Sequence, residues 1–131
     1  VTNPFRDQER FMQACDQSTD FLNKPQYNMY QKLIVEEFWE LQNAIKADDK
    51  VEQLDALVDI LVVTIGAIHS MGADGEGAWN EVMRSNFAKI DKITGKVRKR
   101  EDGKVLKPEG WIPPELESFV SKDQEITGYP V

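Results

Sequence analysis

Cysteine and histidine are nearly missing from this chain. Cys15 is the only cysteine and His69 the only histidine among 131 residues. No internal disulfide can form, and no Cys/His cluster is present to hold structural zinc. Cys15 then reads as a small apolar core residue and His69 as a helix-end or core residue. Long hydrophobic runs are lacking too. The longest, from Ile60, is broken by Thr64, His69 and Ser70, short of the roughly 20 apolar residues that span a bilayer. The N-terminus lacks a basic region followed by an apolar one, so no secretory signal is visible. Positive charge does not dominate either. The formal net charge is -7, which argues against non-specific nucleic-acid binding. The expectation is a cytoplasmic protein with no nucleic-acid partner and no membrane. Internal repeats and low-complexity tracts are absent. What remains is 40% hydrophobic and 30% charged, the balance of a globular chain long enough for one domain.

Helical spacing is the strongest local signal. Asn3 and Pro4 form a capped start, followed by Phe5, Gln8, Phe11 and Met12 three and four apart. Residues 16–26 are polar, contain Pro25, and predict a loop or broken turn. A second helix is expected from about 26–28 to Ala47, with Tyr30, Leu33, Ile34, Phe38, Leu41 and Ile45 along it. Asp48, Asp49 and Lys50 are too few for anything but a tight connection, so a third helix, to about His69, should lie antiparallel beside it. From Ala56 to Ile68 that helix is apolar on nearly every side and should be buried on every side. Covering it calls for a homodimer or homotetramer, or else for the first and fourth helices to suffice. A fourth helix carries Trp79, Val82, Met83, Phe87 and Ile90, with Asp74 read as its cap. From about residue 91 a basic loop and tail extend to the end, with a short last helix over 115–120 and loose residues from Lys122. The expected architecture is all-α: an antiparallel four-helix-bundle-like core completed by homo-oligomerisation, with residues 1–131 as a single domain.

Carboxylates stand where a plain helical hairpin would not place them. Glu36, Glu37 and Glu40 can share one side of the second helix, and Glu52, Asp55 and Asp59 form a stripe on the third. Asp59 lies inside an apolar run. A buried, unpaired carboxylate costs several kcal/mol or takes up a proton. Two such sets on facing helices point to a divalent cation with hard oxygen ligands, Mg²⁺ or alternatively Mn²⁺. Such a cage commonly holds a di- or triphosphate, and the lysine-rich loop could neutralise a departing phosphate. Hydrolysis of a nucleotide polyphosphate fits both features.

With these residues in view, the chain resembles the all-α nucleotide pyrophosphohydrolase superfamily, which includes MazG-like proteins, dimeric dUTPases and phosphoribosyl-ATP pyrophosphohydrolases. The shared Glu-Glu-x-x-Glu is present as Glu36-Glu37-Phe38-Trp39-Glu40. The second motif, Glu-x-x-Asp, is altered: with Asp59 as its Asp, the preferred assignment, Ala56 stands in the Glu position and Asp55 beside it, whereas Glu52-Gln53-Leu54-Asp55 would keep the spacing and leave Asp59 unexplained. Val82-Met83-Arg84-Ser85-Asn86-Phe87-Ala88-Lys89 looks like the family segment that approaches the nucleotide. Asp102-Gly103-Lys104 to Gly110-Trp111 looks like the closing loop of the MazG-like, dUTPase-like branch.

The resemblance implies Mg²⁺-dependent cleavage of a nucleoside triphosphate, dUTP or another deoxynucleotide, between the α and β phosphates. The products are a monophosphate and pyrophosphate. It also implies roles. Glu37, Glu40, Asp55 and Asp59 are metal ligands. Glu36 holds a second metal or orients water. Glu52 is a further acidic candidate. Asn86, Lys89, Lys104, Lys107 and Trp111 are on the substrate side. Two alternatives stand beside it: the phosphoribosyl-ATP branch, and a non-catalytic nucleotide-binding helical dimer. A di-iron carboxylate bundle wants two Glu-x-x-His pairs, and one histidine cannot supply them.

Overall fold

The computed structural model describes residues 2–120. Four α-helices follow one another: α1 (Pro4–Ala14), α2 (Lys24–Lys46), α3 (Lys50–Ser70) and α4 (Gly75–Phe87). A single 3₁₀ turn, Glu117–Phe119, comes last. The all-α class agrees with the sequence pattern. Two compact units are present, one comprising the chain up to Gly75 and the other Glu76–Phe119.

In the first unit each helix start has a side-chain cap. Asn3 accepts the Arg6 N–H, Asn23 the Gln26 N–H and Asp49 the Glu52 N–H. Each bond satisfies one donor that the first helical turn leaves open. Pro25 falls in the first turn of α2, where its missing N–H costs nothing. It therefore opens the helix rather than breaking a loop, and α2 begins two residues before the expected range. Asp48, in the connection to α3, takes left-handed backbone (φ 51), a conformation that Asp tolerates better than most residues.

α2 and α3 pack along their length, and Tyr30 sets how close they come. A Cβ added at Gly66 would stand 2.6 Å from Tyr30 Cδ1. Only glycine admits the ring there. Tyr30 OH donates to Gln17 Oε1 at 2.5 Å. Met12, Tyr30, Val63 and Ala67 form the core cluster. The ends of α2 and α3 are joined by buried amides and hydroxyls. Gln26 Nε2 donates to Ser70 Oγ and to the Ser18 carbonyl, both at 2.8 Å, while Gln26 Oε1 accepts the Ser18 N–H. The Asn23 N–H donates to the Ser70 carbonyl at 2.9 Å. His69 is buried as expected, with Nε2 2.9 Å from the Phe5 carbonyl oxygen. Cys15 is exposed: it caps the C-terminal end of α1 and so does not enter the core.

Burial of α3 is one-sided in its first half. Ala56 is buried, but Val51, Leu54, Leu57, Val58, Leu61 and Val62 are exposed, Leu54 by 63% and Leu61 by 61%. From Val63 onward the helix turns inward, with Val63, Ile65, Gly66 and Ala67 all buried. The expectation of burial on every side is therefore met only in the second half. α1 and α2 leave the rest of its surface exposed.

In the second unit the segment after α4 is a small antiparallel ribbon rather than an open loop. Ile90 bridges Val97 and Lys99 bridges Val105. Each turn is built on an aspartate and a glycine. Asp91 Oδ1 accepts the N–H groups of Ile93 and Thr94, and Gly95 takes positive φ. Arg100 pairs with Asp102, and Gly103 takes positive φ. Residues 108–115 then lie along α4. Arg84 donates to both Glu81 oxygens and to the Ile112 carbonyl, and Glu81 also accepts the Glu115 N–H at 2.8 Å. The expected helix over 115–120 shrinks to one 3₁₀ turn. The residues from Lys122 lie outside the described part.

Gly66→Ala should lower unfolding stability by about 1–3 kcal/mol, the usual cost of forcing atoms into a packed contact. Chemical denaturation measures it directly. An unchanged midpoint would mean that Tyr30 moves aside freely.

Candidate functional site

The contact at Tyr30 and Gly66 positions the acidic side chains. Glu37 lies seven residues beyond Tyr30 on α2, and Asp59 seven residues before Gly66 on α3. Seven residues are close to two turns, about 10 Å of helix. In an antiparallel pair both steps run the same way, so the two carboxylates arrive at one level. Glu40 is nearly one further turn along α2.

Carboxylate oxygens of Glu37, Glu40 and Asp59 all lie within 4.8 Å of one another. Oxygens on one Mg²⁺ are about 2.9 Å apart when adjacent and about 4.2 Å apart when opposite, so the three side chains would draw inward to share an ion. Glu37 and Asp59 are half-buried and Glu40 is exposed. Glu37 Oε2 is buried with no hydrogen-bond partner. A buried acceptor left in this state costs free energy, and a cation is the partner its chemistry fits.

The electrostatics agree. Burial, a hydrogen bond shared with Glu40, and the negative charges of Glu40, Asp59 and Asp55 push the Glu37 carboxyl up from its ordinary 4.5 to about 7. Burial, Asp55 and Glu40 raise Asp59 as well. Without a cation, these groups resist ionising together.

Asp55 is exposed and outside the three-oxygen group, yet its charge acts on both Glu37 and Asp59. Glu36 and Glu52 are exposed and also outside it. Ala56 is buried, so a longer acidic side chain in its place would need room that the packing does not leave.

The substrate-side candidates all belong to the second unit. Asn86 Oδ1 accepts from Lys89 Nζ at 3.2 Å. Lys89 and Lys107 each place an ammonium near the Trp111 ring, 5.1 and 4.9 Å from its centre, within the range of cation–π attraction. The Trp111 indole N–H donates to the Ser85 carbonyl at 2.7 Å, which fixes the ring. The structure thus brings Asn86, Lys89, Lys107 and Trp111 together. Lys104 is exposed in the second turn and forms no described contact with that ring. Ser85 was not singled out from the sequence, nor was the Glu81–Arg84 pair. The i, i+3 spacing of Glu81 and Arg84 was the available signal. In the fold, hydrogen bonds from the Arg84 guanidinium and then from the Glu115 N–H hold the Glu81 carboxyl down to about 2.

The family model for phosphoribosyl-ATP pyrophosphohydrolase matches residues 7–86. The chain belongs to this family. The match includes α2 and α3 whole, with all the acidic candidates, and ends at Asn86. Lys89, the ribbon and Trp111 lie beyond it. A search of curated proteins found no match. Among the described residues, no single helix is long and apolar enough to cross a membrane.

In metal-free protein the folded state holds the Glu37 proton up to about pH 7, whereas the unfolded chain releases it near 4.5. The folded state therefore binds more protons across that window, and stability falls as pH rises through it. Melting curves in EDTA should show this decline, and Glu37→Gln should remove most of it. Mg²⁺ should raise the wild-type melting temperature more at pH 8 than at pH 5.5. A variant with the wild-type pH profile would show that Glu37 ionises normally.

Proposed function

We propose that the protein hydrolyses the α–β phosphoanhydride of a nucleotide, releasing pyrophosphate, in a reaction that depends on Mg²⁺ or Mn²⁺. The observation that supports this most is the three-carboxylate group on α2 and α3, with its partnerless buried oxygen, inside the segment matched by the pyrophosphohydrolase family model. The residues fit the ion: Glu37, Glu40 and Asp59 would hold it, and Asp55 would add negative charge beside them. When bound, the ion supplies positive charge against polyphosphate oxygens and acidifies water. Glu36 would orient the attacking water or help hold a second cation, and Glu52 is the more distant acidic candidate. Asn86, Lys89, Lys104, Lys107 and Trp111 would contact the sugar or phosphates. Cations among them would stabilise the departing pyrophosphate.

The family match moves the first substrate to test from dUTP to a phosphoribosyl-ATP-type nucleotide. The second reading, a simple nucleoside triphosphate, is favoured by the segment 102–111, which resembles the dUTPase-like branch and lies beyond the matched residues.

We also propose a homodimer or homotetramer. The support is the row of exposed apolar side chains on α3, with Phe38 and Trp39 exposed on α2, since clustered exposed apolar side chains mark interaction surfaces.

Pyrophosphate release should appear with Mg²⁺, vanish in EDTA, and fall by about a thousandfold in Asp59→Asn, the scale of losing a central electrostatic group. Product analysis across phosphoribosyl-ATP and the triphosphates identifies the substrate. Diphosphate plus phosphate as products would overturn the bond assignment. Leu57→Glu with Leu61→Glu should shift the sedimenting species to a monomer. Unchanged sedimentation would rule out this face as the interface.

A further inference from the structure

The first turn of the ribbon and the strand after it have no part in the hydrolysis proposed above. Residues 92–100 carry five cations, Lys92, Lys96, Arg98, Lys99 and Arg100, and no acid. All five are exposed. Arg100 is paired with Asp102, and the charge of Arg98 acts partly on Asp91. Among the described residues, Lys92, Lys96 and Lys99 take part in no ion pair.

Ile93 stands at the tip of that turn. It is 97% exposed, more than any other large apolar side chain among the described residues. The turn that presents it is well built. Asp91 Oδ1 accepts the N–H groups of Ile93 and Thr94, the Gly95 N–H donates to the Asp91 carbonyl, and Thr94 Oγ1 accepts the Lys96 N–H. Gly95 supplies the positive φ that closes it, a conformation that glycine adopts freely. Lys92, Ile93, Arg98 and Leu106 line one shallow cleft, so cations and apolar groups share a side of the ribbon.

A single exposed apolar side chain needs no explanation by itself. Between unpaired lysines, it matches a surface that is anionic outside and apolar just beneath. A bilayer with anionic headgroups has this layering: ammoniums meet the phosphates while their stems and a neighbouring apolar side chain enter the boundary with the acyl chains. A single nucleic-acid strand also offers phosphates, but its bases call for aromatic rings to stack on. Residues 91–110 hold no aromatic residue. The net charge of -7 does not oppose the contact, because charges more than about 8 Å from the surface are screened at physiological salt.

We propose that this turn and strand form a peripheral membrane contact, Ile93 entering the interface of an anionic bilayer and Lys92, Lys96 and Arg98 resting on its phosphate headgroups. A contact of this kind needs no membrane-spanning helix. It replaces the expectation of no membrane partner, which followed from the lack of a long apolar run. None of these residues has a role in the hydrolysis proposed above, so the two readings stand or fall separately.

The test floats the full chain, in EDTA, with vesicles of phosphatidylcholine containing roughly one-third phosphatidylglycerol, and with vesicles of phosphatidylcholine alone. Binding to the mixed vesicles should be at least about tenfold tighter than to the neutral ones at about 0.1 M salt, and mostly lost at about 1 M, where the screening length shortens to about 3 Å. Lys92→Ala should weaken it by about fivefold, the contribution of one cation near such a surface. Ile93→Ser should weaken it by about fivefold to tenfold through the lost apolar contact. Both side chains are exposed, so the circular dichroism of each variant should match the wild type. No binding, or equal binding to the two kinds of vesicle, would overturn the proposal. So would binding to the mixed vesicles that Ile93→Ser leaves unchanged, which would reduce the surface to a bare cationic patch. Polyuridylate is then added as a competitor. If it strips the protein from the vesicles and binds the Ile93→Ser variant as tightly as the wild type, the ribbon serves nucleic acid and the bilayer is rejected.

Discussion

The approach of α2 to α3 at Tyr30 and Gly66 is the constraint on which the acidic site depends. A phenol ring lies where any other residue would have placed a side-chain carbon. The ring is held by Gln17 and by the core around Met12, Val63 and Ala67. Because the helices are antiparallel, this one contact sets the register for two turns on either side. The carboxylates meet as a consequence of packing, at a level decided elsewhere in the pair.

Bringing them together works against folding. Glu37 is raised chiefly by burial and then by its acidic neighbours, and one of its oxygens has no partner. Folding of the remaining structure must offset that cost, which a cation would relieve. The buried amide and hydroxyl network at the far end of the pair is the opposite case. Gln26, Ser18 and Ser70 satisfy one another with good geometry, so they rigidify α2 and α3 without electrostatic penalty. One end of the hairpin is satisfied and specifies the structure. The other is unsatisfied and suits binding.

The second unit holds together with no fully buried apolar side chain. Its ribbon has only two bridges, too little pairing to persist unaided. Side chains complete it: two aspartates organise the turns, and Arg84 and Glu81 fasten the strap to α4. Residues 89–107 hold eight lysines and arginines against three acids, within a chain of net charge -7. The positive charge is thus concentrated in one short segment, where an anion would meet it.

Much of this was legible in the sequence. Helix spacing, the cap at Asn3, and the candidate carboxylates at Glu37, Glu40 and Asp59 depend on residues near one another along the chain, and local rules suffice for them. The family resemblance through Glu36-Glu37-Phe38-Trp39-Glu40 was equally local. Other features were out of reach. Pro25 reads as a breaker until Asn23 is known to cap the helix in front of it. Cys15 reads as core until α1 is seen to end there. The one-sided burial of α3, the level at which the Glu37, Glu40 and Asp59 oxygens meet, and the seating of Trp111 on Ser85 all join residues distant in sequence. Composition and periodicity determined the all-α class and which residue types could hold a cation or a phosphate. The tertiary structure decided which of them meet, because only packing brings distant side chains within a few ångströms and removes the water that would have kept them independent.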